Sequence, residues 1–175
     1  MSDHFNLGHA RSTRAPATRE VFSPQSNLRP QSENLTEISD DEADYCVIRS
    51  TLPAGAVVPM HSHADRETFY VLAGRLNAYN GDRWQELGPG DVLDVQDGIK
   101  HAWRNSSKAS ASMLCVTTTK MARFLRDISI SATDSSPEAQ AQRFLQLVKA
   151  HGYWLASPEE NAAVGLKVNW SGPGD

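Results

Sequence analysis

Through the middle of this chain, apolar residues recur at alternate positions in short runs, broken by Gly, Pro, Asn and Asp. Tyr45-Cys-Val-Ile-Arg-Ser-Thr-Leu52 reads as a strand that stops at Pro53-Ala-Gly55. Thr68-Phe-Tyr-Val-Leu72 is a second run of β-formers, ended by Gly74. Leu76–Tyr79 and Trp84–Leu87 flank Asn80-Gly81-Asp82, and Asn-Gly predicts a tight hairpin turn with positive φ. Gly88-Pro-Gly90-Asp91 is a further turn, leading into Val92–Val95. His101–Asn105 and Ser112–Thr118 complete the set. Short strands with frequent turns predict an antiparallel sandwich or barrel, and no internal repeat is visible.

The two ends read differently. Residues 1 to about 20 are polar and rich in Ala, Thr and Arg, a composition expected to be mobile. Residues 21–44 hold Pro24, Pro30 and the acidic run Asp40–Asp44, and read as an extended arm. Beyond residue 120 the period changes to a helical one. Ser135-Ser-Pro-Glu138 is a capping start, and Ala141, Phe144, Leu145 and Val148 follow at helical spacing up to Gly152. Ser157-Pro-Glu-Glu160 repeats the capping pattern, and Met121–Asp127 suits a helical turn. The expected organisation is a tail and arm over 1–44, a β-barrel over 45–120, and a helical extension over 121–175 packed on the barrel's outside.

Composition narrows the function classes. The chain has 175 residues and a net charge of −4 with interspersed signs, which gives no basic field for nucleic acid. Arg11, Arg14 and Arg19 form the densest basic cluster and read as a solvated tail. No stretch reaches the ~18 apolar residues needed to span a membrane, and the first residues lack a secretory pattern. Cys46 and Cys115 lie far apart in apolar runs, so reduced, buried thiols in a cytoplasmic protein are expected.

The chemistry concentrates in four residues. His61 and His63 are two apart, so on an extended strand both leave the same face, and Glu67 keeps that parity if the strand is not bulged. His101 arrives from a separate strand. Three imidazoles and a carboxylate suit one divalent transition ion, and Fe, Mn, Ni, Co and Zn all fit such a ligand set. Phe69 shares parity with Glu67, and Trp103 with His101; Met113 and Cys115 lie on a following strand. These four either line a substrate cavity beside the ion or pack as ordinary barrel core. His4, His9 and His151 have no partners in sequence, and His151 suits a helix C-terminus. Asn105 reads as a turn residue.

These segments resemble the paired motifs of the cupin superfamily. The first motif is met by Gly55, His61, His63, Glu67 and Gly74 at every spacing. The second is met by Gly90, Gly98, His101 and Asn105, with Gln96 where the family carries proline. That departure puts the stiffness of the loop before His101 in question and removes no ligand. The resemblance implies a single antiparallel jelly-roll barrel (a double-stranded β-helix) with short C-terminal helices, similar to small bacterial cupins of the quercetin dioxygenase type. It also implies pairing of barrels into a homodimer, with residues 21–44 expected to reach across to the partner.

Three functions follow as expectations. The first is a metal-dependent dioxygenase acting on a small, partly apolar or aromatic substrate, with Glu67 leaving the ion to serve as catalytic base. The second is a non-redox isomerase or lyase, in which the ion acts as a Lewis acid. The third is a non-catalytic binding or sensing module; the absence of a helix-turn-helix pattern counts against it.

Overall fold

The computed structural model describes residues 20–21, 30–42, 44–130 and 136–168. The strands in chain order are β1 (Glu20–Val21), β2 (Gln31–Asn34), β3 (Tyr45–Leu52), β4 (Val57–Ser62), β5 (Glu67–Ala73) and β6 (Leu76–Asn80). They continue with β7 (Trp84–Leu87), β8 (Val92–Val95), β9 (His101–Arg104) and β10 (Ala111–Thr118). Helices α1 (Thr119–Ile130) and α2 (Pro137–Ala150), strand β11 (Trp154–Leu155) and helix α3 (Pro158–Ala163) follow.

Two antiparallel sheets form the jelly roll, in the orders β1-β2-β3-β10-β5-β8 and β11-β4-β9-β6-β7. The period-2 pattern decides which side chains enter the space between them. In β3, Cys46, Ile48 and Leu52 are buried while Tyr45 and Arg49 are exposed; in β10, Ala111, Met113 and Cys115 are buried. Register then aligns a row of inward residues across one sheet: Ile48 opposite Cys115, Cys115 opposite Phe69, and Phe69 opposite Leu93. Gly74, at φ +79°, turns the chain from β5 into β6. A Cβ there would stand 2.6 Å from the Ala111 Cβ and 2.9 Å from the Ser110 carbonyl, so only glycine fits.

Several local expectations gain detail. The Asn80-Gly81-Asp82 hairpin forms between the expected strands, with Tyr79 opposite Trp84. Only Gly81 has positive φ there, and Asn80 N donates to the Arg83 carbonyl across a three-residue link. Within the segment read as an arm, residues 31–34 pair with β3 and cover that edge of the sheet. The helical segment after the barrel is longer than Met121–Asp127, and β11 returns to pair with β4 at Ser62 and His61. Arg11, Arg14, Arg19, His4, His9, Pro24 and Ser135 lie outside the described residues.

The helices do more than coat the outside. Met121, Phe124, Leu125 and Ile128 fall at helical spacing on one face of α1 and pack against Phe144, Leu147 and Val148 of α2. Together they close one end of a cavity whose other walls come from both sheets. Ser136 caps α2, and His151 stands at its C-cap. Ser157 and Glu160 form a full capping box at α3.

Candidate metal centre

β4 and β9 are paired with an irregularity: Val58 faces Trp103, but His61 faces His101. Three residues of β4 thus span two of β9, a bulge. Pro59, which has no N–H to offer a ladder, sits inside it. The bulge also takes the Met60 N–H out of the ladder, and the buried Asn161 side chain of α3 accepts it at 2.9 Å. Asn161 Nδ2 donates back to the Ala156 and Ser157 carbonyls. The strand carrying His61 is therefore braced from the C-terminal segment.

His63 lies just beyond the end of β4, and Glu67 opens β5 in the opposite sheet. The strand is thus interrupted, and Glu67 reaches the site by crossing sheets rather than by parity with His61. The turn before His101 is firm without proline. Ile99 N donates to the Gln96 carbonyl, Gly98 takes φ +73°, and Gly98 N donates to the His63 carbonyl at 2.9 Å. Asn105, fully buried, closes the next loop by donating to the Leu52 and Ala109 carbonyls.

One potential ligand atom from each of His61, His63 and His101 lies within 4.8 Å of the other two. Glu67 Oε2 is 3.1 Å from His101 Nε2 and 3.5 Å from His63 Nε2. Each imidazole uses Nδ1 against a backbone carbonyl: His61 with Pro59 at 2.7 Å, His63 with Asp65 at 2.9 Å, and His101 with Ile99 at 2.9 Å. A carbonyl can only accept, so each Nδ1 carries a proton and each ring turns Nε2, the atom that can supply a lone pair to an ion, toward the cluster. The buried His63 Nε2 has no hydrogen-bond partner. Lone pairs of three imidazoles and a carboxylate converging in a buried space repel one another unless a cation sits among them. The donor set therefore fits a divalent ion, with every imidazole held by an outer partner as metal-ligating histidines are.

Electrostatics agree. Burial, together with the neighbouring His101 and His63, holds the His61 pKa well below its ordinary value, so the ring is neutral. Burial alone would raise the Glu67 carboxyl, but His101 and His63 outweigh it and hold it well below the usual carboxylate range. Burial also lowers His63, yet contact with Glu67 leaves its pKa raised. Cys115 stays a thiol, pushed well up by burial and by Glu67, with Sγ 3.8 Å from Glu67 Oε1. Cys46 is pushed up to about 11 by burial. Both cysteines are free and buried.

The cavity beside these residues is about 150 Å³, the size that admits a single benzene-like ring. His61, Glu67, Phe69, Trp103, Met113 and Cys115 all line it, and Phe69, Trp103, Met113 and Cys115 also pack in the barrel core. Phe69 and Trp103 meet edge to face at 4.6 Å. Sequence reasoning missed the opposite wall, made by α1, α2 and Tyr153. The helical spacing of Ala141, Phe144, Leu145 and Val148 marks an apolar face, but no periodicity says what that face covers.

Residues 48–117 match the cupin domain family Cupin_2. They form a cupin domain. Over 67 residues the chain is 37% identical to the dimethylsulfoniopropionate lyase DddQ of Ruegeria pomeroyi, covering 38% of this chain and 32% of that protein. The chain thus spans about a third of the length of this curated relative. Among solved structures, a cupin-2 domain protein of Rhodospirillum rubrum aligns with TM-score 0.53 at 14% identity, over 62% of this chain and 74% of that one. The polyketide cyclase RemF of Streptomyces resistomycificus aligns with TM-score 0.53 at 19% identity, over 63% and 80%. A predicted oxalate decarboxylase of Thermotoga maritima aligns with TM-score 0.52 at 22% identity, over 58% and 92%. At these identities the solved structures bear on the cupin fold alone. No described helix is long and apolar enough to cross a membrane.

Proposed function

We propose that this cupin is a metal-dependent lyase acting on a small, partly apolar molecule that carries a carbonyl or carboxylate oxygen. One observation carries the reading: three imidazoles and an ionised carboxylate converge at one wall of an apolar cavity that no described lysine or arginine lines. With no side-chain cation to hold a substrate oxygen, the polar anchor is the His61, His63, Glu67 and His101 cluster itself. A bound divalent ion would supply Lewis-acid polarisation of that oxygen. Phe69, Trp103 and Met113 would orient the apolar body of the substrate, and the α1–α2 lid would exclude water. Glu67 lines the cavity beside the cluster and would serve as the base, taking a proton from the carbon next to the substrate carbonyl. The electron pair left behind forms the new double bond, and the substituent on the next carbon departs with its own bonding pair. The likeness to a lyase over 67 residues supports this choice among cupin chemistries.

The second reading is the dioxygenase expected from the sequence. It is favoured by the ligand set, since three histidines and one carboxylate leave positions open on a five- or six-coordinate ion. Oxygen separates the two. Turnover of a panel of carboxylates and ketones with a β leaving group should be equal in air and under strict anaerobiosis, and the zinc form should be active. Loss of turnover without oxygen, with an inactive zinc form, would move the assignment to the dioxygenase, because zinc has no accessible redox couple.

A further inference from the structure

Two buried polar atoms next to the metal centre are unmet by anything in the chemistry above. Tyr153 follows Gly152, whose φ of +72° ends α2 and turns the chain toward β11. The Tyr153 backbone N–H donates to the Val148 carbonyl, and its ring packs 4.8 Å from Phe124 and 5.1 Å from His63. The residue is 8% exposed, and its hydroxyl has no hydrogen-bond partner. Asp65 is 5% exposed, and its Oδ2 likewise has none. The rest of Asp65 is engaged: Oδ1 accepts from the Thr118 hydroxyl, and the backbone carbonyl accepts from His63 Nδ1 at 2.9 Å. Asp65 Oδ2 itself lies 4.0 Å from that same Nδ1.

A buried donor and a buried acceptor left unpaired are costly. Here both adjoin His63: the Tyr153 ring packs 5.1 Å from its ring, and Asp65 Oδ2 lies 4.0 Å from its Nδ1. A phenol O–H can donate, and a carboxylate oxygen can accept.

We propose that Tyr153 is a positioning residue, whose hydroxyl donates to Asp65 Oδ2 and so clamps the C-terminal lid onto the residue that orients His63. The inference rests on the metal-centre reading. It adds that the α2–β11 link is part of the outer shell of the ion. Coupling is reciprocal: if the clamp strengthens ion binding, ion binding tightens the lid.

Cobalt(II) titration and amide hydrogen exchange of the full chain test this, using Tyr153→Phe, Asp65→Asn and the double variant. Tyr153→Phe deletes one oxygen and keeps the packing. It should weaken cobalt binding by ~10–100-fold, the usual cost of losing an outer-shell partner, and speed exchange over residues 144–156. The double variant should bind no more weakly than the weaker single, because both changes remove one interaction. Equal affinity of Tyr153→Phe and the unaltered protein, or additive losses in the double variant, would overturn the clamp. If the unaltered protein binds no cobalt, the metal-centre reading fails instead. Exchange in the metal-free protein then decides the clamp alone, unchanged rates in Tyr153→Phe overturning it.

Discussion

Replacing His101 by alanine will empty the metal centre. His101 is 1% exposed, faces His61 across β4 and β9, and lies 3.1 Å from Glu67. Its loss removes one of three imidazoles and strips the buried Glu67 carboxylate of its nearest partner. The fall in affinity should exceed the ~10–100-fold that follows loss of an outer-shell partner, because a direct ligand is removed. Metal content after dialysis, measured on untagged protein, checks this. His151→Ala is the control: His151 caps α2 and lies 4.0 Å from Asp127, away from the cluster, and its variant should keep the ion. Equal metal content in the His101→Ala and unaltered proteins would remove His101 from the ligand set.

The second large effect is expected at Glu67, where ligation and proton transfer can be separated. Glu67→Gln keeps the size of the side chain, weakens ligation and cannot accept a proton as a carboxylate does. If Glu67 serves only as a ligand, activity falls in proportion to lost metal. If it is also the base, activity per bound ion falls by a further ~10²-fold or more, the usual scale for a general base. The lyase reading predicts the larger fall. Activity per ion equal to that of the unaltered protein would leave Glu67 a ligand and send the search for a base elsewhere in the cavity.

Much of this site is legible in the sequence, for definable reasons. His61, His63 and His101 stand out because polar residues at fixed spacing interrupt runs of β-formers, and a two-residue period places His61 and His63 together. The strands are legible because burial alternates along them, as Cys46, Ile48 and Leu52 show in β3. What spacing cannot carry is register between distant elements. The bulge at Pro59 and the entry of Glu67 from the opposite sheet depend on pairings between β4 and β9 and between β5 and β10. Asn161 looks like an ordinary polar residue in a short helix, yet it completes the hydrogen bonding of Met60 across 101 positions of sequence. Tyr153 is invisible for the same reason, since nothing near it in the chain hints at His63. Prolines and acidic residues in the arm signal an extended chain without saying that residues 31–34 join β3.

X-ray absorption of the zinc-loaded, untagged protein tests the central claim most directly. The account predicts imidazole scattering from His61, His63 and His101 with nitrogen and oxygen neighbours at ~2.0–2.2 Å, and its loss in part when His101 is replaced. A sulfur neighbour at ~2.3 Å would make Cys115 a ligand, and a shell of oxygen alone would place the ion elsewhere; either result contradicts the assignment.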